Sequence, residues 1–314
     1  MIPKKILSRI QNLLVNYSYF WIGILFLLLA KIKNKTIGYT PKPFSTEEIE
    51  RCIKYDISIV NHWLKLLNEY SPDYTIQNKH ILELGPGSDL GIGLYILSKN
   101  AKKYTAIDVY NLVSNVSMDF YNAFFAYLQE KEQINTNMLA EELNKTRNYK
   151  NDKLNYVHRP DFNIIEGIGD DKVDVIFSNA AFEHFADFRK TIDDFSKVVF
   201  PGAILIVNVD LQTHSRWIRK KDPNNIYRYP DYLYNLLSFC GSPNRARPYE
   251  YQEILERNGW ENIVIQPRNR LDDIANFQNH LDKKFKDTVN QMDYLTISIL
   301  ATKSGRRYSI EEER

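Results

Sequence analysis

Apolar positions recur at helical spacing in two separate stretches near the N-terminus. From Ile6 to Tyr17, the residues Ile6, Leu7, Ile10, Leu13, Leu14 and Tyr17 fall three and four apart, with Lys5, Arg9, Gln11, Asn12 and Asn16 largely off the stripe. This predicts an amphipathic helix. From Tyr19 to Ala30 the run YFWIGILFLLLA is apolar, aromatic or glycine throughout, so the helix becomes greasy on all sides for about three turns. A second stripe, Ile49, Ile53, Ile57, Val60, Leu64 and Leu67, predicts a long core-packing helix to about Tyr70. The intervening TIGYTPKPFSTEE holds two prolines and a glycine, and Ser45 and Glu48 have capping-box spacing, so the boundary falls there.

Residues 80 to 94 read HILELGPGSDLGIGL: a short strand ending in Glu83, a turn through Gly85, Pro86 and Gly87, and the start of a helix. Glycines are needed where the backbone must turn sharply and let a ligand approach closely. The next strand, KYTAID, ends in Asp108, about 20 residues beyond the glycines, the spacing at which a carboxylate accepts bonds from ribose hydroxyls. Glu83 and Asp89 flank the turn, so it would repel a pyrophosphate and attract a ligand bearing an amino group and a sulfonium.

These residues resemble the class I S-adenosylmethionine-dependent methyltransferases, and more closely a bacterial branch with an ELGPG-type first motif. The similarity runs in order from about Lys79 to Lys303. DVIFSNAAFEHFAD (174–187) looks like the family's fourth strand, VVFPGAILIVNVD (198–210) like its helix turn and fifth strand, and YLTISILATK like its last. Asn244, Arg245 and Arg247, and the pair Gly259-Trp260, match later segments of that branch, while Gly202-Ala203 replaces the usual double glycine. The resemblance implies a doubly wound Rossmann-like α/β sheet, mostly parallel with one antiparallel strand, and S-adenosylmethionine as cofactor. Carried over, Glu83, Gly85 and Gly87 line the methionine end, Asp108 holds the ribose, Asp161 meets the adenine edge, and Ser178 and Asn179 face the methionine moiety.

Methyl transfer is an in-line displacement that demands alignment, a base where the acceptor is a hydroxyl, and no metal. The candidate bases follow the fourth and fifth strands: Glu183 and His184, then Asp210 and His214, with histidine the better match for a weakly acidic hydroxyl. Arg245 and Arg247 are candidates to clamp an anionic group on the substrate, with ordinary ion pairing as the competing reading. An insertion at about 110–150 is expected to be helical, either roofing the acceptor pocket or packing on the body. The aromatic run NIYRYPDYLYNLLSF (225–239) offers stacking surface suited to a sugar or lipid.

Composition changes the picture mainly through its asymmetry. The 314 residues, 44% hydrophobic and 25% charged, suffice for one large domain and exclude a disordered chain; two cysteines, Cys52 and Cys240, exclude a disulfide scaffold. The net charge is +2, yet no Asp or Glu precedes Glu47 while seven basic residues do, leaving 34 basic against 39 acidic residues afterwards. A mildly acidic body argues against a nucleic-acid partner. The basic, greasy arm over 1–40 reads as an in-plane membrane anchor, a single span or a helix packed on the body, with peripheral contact through residues 1–35 favoured and spanning not. Residues 45–304 are expected to form the catalytic domain and 305–314 a flexible tail, in a protein of the cytoplasm at the inner face of the membrane. The function expected is methyl transfer to a hydroxyl of a small molecule or of an envelope glycan or lipid precursor. A cofactor-binding module without transfer is the alternative, ahead of a nicotinamide-dependent Rossmann enzyme.

Overall fold

A computed structural model of the chain describes residues 4–37 and 48–305. The two N-terminal hydrophobic patterns merge into one helix, α1 (Lys4–Ile37). Ser18 does not break it, because its hydroxyl donates back to the Val15 carbonyl at 2.7 Å. Helix α2 (Ile49–Tyr70) opens at Glu48 without a side-chain cap; Ser45, the other half of the expected capping box, lies outside the described residues, as does the tail from 306 onward.

Strands and helices then follow as β1 (His80–Leu84), α3 (Gly91–Ser98), β2 (Lys103–Asp108), α4 (Met118–Glu132), α5 (Asn137–Arg147), β3 (Leu154–His158), α6 (Ile164–Ile168), β4 (Val173–Asn179), α7 (Phe188–Lys197), β5 (Val199–Asp210), α8 (Arg216–Arg219), α9 (Asp231–Leu237), α10 (Pro248–Arg257), β6 (Trp260–Arg270), α11 (Ala275–Gln278) and β7 (Tyr294–Lys303). The strands form one seven-stranded sheet of order β3-β2-β1-β4-β5-β7-β6. Neighbours pair parallel from β3 to β5, and β7 runs antiparallel to both β5 and β6. This is the doubly wound sheet with one antiparallel strand that the resemblance implies. The chain reverses its direction of growth between β1 and β4, and in such sheets the crevice at the carboxyl ends of those strands receives the ligand.

Helices α2 to α5 cover one face around Trp63, which stacks on Phe177 with centroids 4.7 Å apart, and α6, α7 and α10 cover the other around Phe182, Phe195 and Trp260. The insertion packs on the body: Phe120, Tyr121, Phe124 and Leu128 of α4 and Leu139 and Leu143 of α5 are buried in the first core. Val198 closes α7, and from Val199 the stretch is already strand. It bulges, since Val173 pairs with Val199 but Val175 with Ile204, and Gly202 supplies the positive φ of +80° that lets the chain double over.

Candidate active site

Beyond β1 the backbone turns through Gly85 (φ +73°) and Gly87 (φ +82°), a region unfavourable to side-chain-bearing residues. A Cβ on Gly85 would stand 2.6 Å from the Cβ of Ala181, whereas one on Gly87 would meet nothing within 4 Å. The turn is thus pressed against the loop after β4 on one side and open on the other.

Behind it lie four buried carboxylates: Asp56 of α2, Glu83 of β1, Asp89 of the turn and Asp108 at the end of β2. Burial pushes Glu83 up to about 8, against a hydrogen bond donated by the Tyr104 hydroxyl and with Asp89 and Asp108 adding repulsion. Burial and then Asp89 and Glu83 push Asp56 well above the ordinary carboxylate range, and its Oδ2 has no hydrogen-bond partner. Burial also raises Asp89, opposed by the Gly91 amide that donates to it at 2.7 Å. Converging buried carboxylates either hold protons or meet a positive group. An α-amino group and a sulfonium fit that demand and a pyrophosphate does not. Asp108 accepts from the Tyr110 amide at 2.9 Å, with the amides of Val109 and Gly87 also turned to it, while burial raises its pKa.

The other sequence-predicted cofactor residues divide. Asn179 lies at the mouth of the crevice, donating to the Tyr55 hydroxyl at 2.9 Å and accepting from Asn208 at 3.1 Å. Ser178 corrects the expectation: it is fully buried and donates to the Leu84 carbonyl at 2.7 Å, pinning β4 to the end of β1 rather than facing a ligand. Asp161 stands on the exposed turn after β3, where Arg159 grips it at 3.0 and 2.8 Å and lowers it to about 2. Asp56 was not among the residues expected. Its signal is an acid inside an apolar stripe, between Ile53 and Ile57.

Because β4 and β5 are parallel neighbours, the turns that leave them bring Glu183, His184, Asp210 and His214 together. The imidazoles of His184 and His214 meet edge to face with centroids 4.7 Å apart. His184 Nδ1 is 2.6 Å from the Gly241 carbonyl, which assigns the proton to Nδ1 and leaves the Nε2 lone pair free. His214 Nε2 is buried without a hydrogen bond, 3.7 Å from Asp210 Oδ2, and Glu183 Oε2 is likewise unpartnered. Arg219 holds Asp210 at 2.6 Å. Burial raises Glu183 to about 8 and lowers His184; burial and then the His184 charge lower His214 to about 4. One ligand atom each from Glu183, His184 and His214 lies within 4.8 Å of the others, a donor set able to hold a divalent ion. Beside this cluster is a polar cavity of about 350 Å³ bordered by His184, Asp231, Asn235, Ser238, Arg245 and Lys284.

The expected arginine clamp is corrected by the geometry. Arg247 is fully buried and its guanidinium is committed to the carbonyls of Asn290 (2.8 Å), Gln291 (2.6 Å) and Tyr294 (3.2 Å). Arg245 donates to the Ile226 and Tyr229 carbonyls at 3.1 and 2.7 Å and pairs with Asp231, with its guanidinium carbon 4.1 Å from the centroid of the Tyr234 ring. Both brace their loop. The neighbour that serves the site is Asn244: its Nδ2 donates to the carbonyls of Phe182 (2.8 Å) and Phe185 (3.1 Å), clamping the turn that carries Glu183 and His184.

A family model described as a methyltransferase domain matches residues 55–265. No curated protein matches the chain. Similar solved structures include the CurJ carbon methyltransferase (17% identity, TM-score 0.38, 74% of this chain and 50% of that one). Another is a Haemonchus contortus phosphoethanolamine N-methyltransferase 2 with phosphomonomethylethanolamine and S-adenosylhomocysteine (13%, 0.43, 78% and 53%). A third is an S-adenosylmethionine-dependent methyltransferase from Mesorhizobium loti (12%, 0.41, 76% and 96%). The chain therefore spans about half the length of the first two.

Proposed function

The chain belongs to the methyltransferase family, with S-adenosylmethionine as its cofactor, and we propose that it transfers methyl to a hydroxyl of a small molecule or of an envelope glycan or lipid precursor. When bound, the cofactor supplies a methyl group on a sulfonium that leaves as a neutral thioether. Asp56, Glu83 and Asp89, behind the Gly85 and Gly87 turn, meet its positive end, Asp108 its ribose, Asp161 its adenine edge, and Asn179 borders the methionine moiety.

The observation that carries the hydroxyl reading is the neutral histidine pair beside a polar cavity. His184, with Nδ1 bound to Gly241, has Nε2 free to take the acceptor proton. His214 and Glu183 lie beside the imidazolium that results, and the Asp210 carboxylate favours it electrostatically. Asn244 keeps the turn in place. The buried carboxylates speak against a nicotinamide cofactor, whose pyrophosphate they would repel.

The decisive first experiment is calorimetric titration with S-adenosylmethionine, S-adenosylhomocysteine and NADH, beside Asp108→Ala. Binding of the sulfur nucleosides alone, weakened by the substitution, supports the cofactor assignments and opens an acceptor screen among glycans and lipids. Intact binding with no transfer to any acceptor would favour the module that binds without transfer, and turnover indifferent to His184 and His214 would mean that neither is the base. The reading also keeps 45–304 as the catalytic domain and gives the arm, through residues 1–35, a peripheral contact with the inner face of the membrane.

A further inference from the structure

Helix α1 has two unlike faces. One is docked on the body along Asn16, Phe20, Gly23, Ile24, Leu27 and Lys31, residues that share a stripe at helical spacing. The docking is polar at its centre. Arg228, buried in an ion pair with Asp222 at 2.7 Å, donates to Asn16 Oδ1 at 2.8 Å; Asn225 donates to the Tyr19 carbonyl at 2.9 Å and Tyr229 to the Phe20 carbonyl at 3.0 Å. Gly23 lets the backbone come this close, since a Cβ there would stand 2.0 Å from Asn225 Oδ1 and 2.1 Å from the Tyr229 hydroxyl. The other face is exposed and apolar: Leu14, Trp21, Leu25, Leu28, Leu29 and Ile32.

The segment Leu13–Ile37 is long and apolar enough to cross a membrane, with mean hydropathy 2.0. Crossing is incompatible with the docked stripe. From Asn16 to Lys31 the helix rises about 22 Å at 1.5 Å per residue, most of the ~30 Å hydrocarbon core. A span would carry Asp222, Asn225 and Arg228 into the bilayer with it. Lying in the plane, the helix keeps this polar clasp on the protein side and turns its greasy face to lipid. The body extends that face: Trp217 of α8, stacked with Phe26, is 81% exposed, and Tyr232 and Leu236 of α9 are 76% and 66% exposed. Exposed Lys33 and Lys35, in an arm without acids, complement anionic headgroups.

Helix α9 links this surface to the catalytic cluster. Tyr232 and Leu236 face outward, while Asp231, Tyr234 and Asn235 border the cavity that contains His184. We infer that α1 lies in the plane of an anionic bilayer, docked on the body, and that the cavity opens beside that surface to receive the polar head of a membrane-borne amphiphile. This deepens the proposed function by fixing the acceptor class; the acceptor part rests on that reading.

The test uses the full chain as Trp21→Phe and Trp217→Phe variants, each with vesicles of phosphatidylglycerol carrying brominated acyl chains. Quenching of both Trp217 and Trp21 by bromine near the headgroup, and weaker quenching by bromine deep in the chain, is expected. Deep quenching of Trp21 with Trp217 untouched would establish a span and overturn the in-plane geometry, as would no quenching of either. The acceptor class is read separately, with methyl-labelled S-adenosylmethionine and vesicles of total bacterial polar lipids. Label extracted into butanol is expected. Label confined to water-soluble material would overturn the amphiphile while leaving methyl transfer standing, and the quenching result holds whether or not a methyl group moves.

Discussion

The His184 ring stands edge-on to the His214 ring at 4.7 Å, and only His184 has a nitrogen whose proton is fixed by a backbone carbonyl. That asymmetry assigns different roles. His184→Ala removes the base and should lower kcat by about 10²- to 10⁴-fold, the usual contribution of general-base catalysis, with cofactor affinity unchanged. His214→Ala should cost less. Since burial lowers both histidines, the acid limb of kcat/KM should lie below pH 6.5, the ordinary value for the group. A limb at or above that value would remove His184 from the base role.

The same cluster distinguishes proton handling from metal chemistry. Turnover should survive dialysis against EDTA, because the proposed step needs only the Nε2 lone pair of His184. Loss of activity restored by Zn²⁺ or Mn²⁺, with the metal counted by mass spectrometry, would make Glu183, His184 and His214 ligands instead.

Asp56 and Asp108 should report on opposite ends of the cofactor. Asp56→Asn keeps the shape of the carboxyl but takes away its ability to ionise against a bound cation, and should weaken S-adenosylmethionine about tenfold or more, each tenfold being about 1.4 kcal/mol. It should affect adenosine little. Asp108→Ala should weaken both. Titration calorimetry with the two ligands checks the split; equal losses for Asp56→Asn would mean that it only supports the turn.

The doubly wound sheet with one antiparallel strand was legible through the family resemblance, which rests on a glycine turn, strand-end acids and apolar strands, local signals that survive without tertiary context; the order of the strands was not. The site was half legible for the same reason. Glu83, Asp108, Glu183 and His214 announce themselves at strand ends, but whether Ser178 or Arg247 faces a ligand depends on side-chain direction and on carbonyls left open by distant loops. Arg247 reads as a surface charge in one dimension and is a buried brace in three. Asp56 could have been found, since an ionisable side chain on a helix's buried face requires a partner. The clasp on α1 could not, because Asn16 and Arg228 are more than 200 residues apart in sequence, |i−j| being 212.

Raised carboxylates also make a statement about stability. Glu83 and Glu183 sit near 8 in the folded chain against an ordinary 4.5. Between those values the folded protein binds protons that the unfolded chain has released, so stability is highest below about 4.5 for these groups and is lost as pH rises through 8. Thermal melts of the ligand-free protein should therefore decline between pH 6 and 8.5. S-adenosylmethionine should reverse the trend, raising Tm more at pH 8.5 than at 6 and releasing protons when it binds at pH 7. The proton count comes from titrations in buffers of different ionisation enthalpy; proton uptake would contradict the cation cradle.

The α1 clasp predicts two separable defects. Arg228→Ala leaves Asp222 buried without its partner, and breaking such a pair costs about 3–5 kcal/mol, enough to lower Tm by many degrees or prevent folding. Gly23→Leu leaves that ion pair intact but drives a side chain into Asn225 and Tyr229. It should lift α1 off the body alone. The expected signs are rapid proteolysis within residues 13–32 and increased binding of an apolar dye to the uncovered Tyr229 and Ile226 surface, with cofactor affinity preserved because the carboxylate cradle lies on α2, β1 and β2. If Gly23→Leu instead abolished cofactor binding, α1 would be part of the catalytic fold rather than a docked plate.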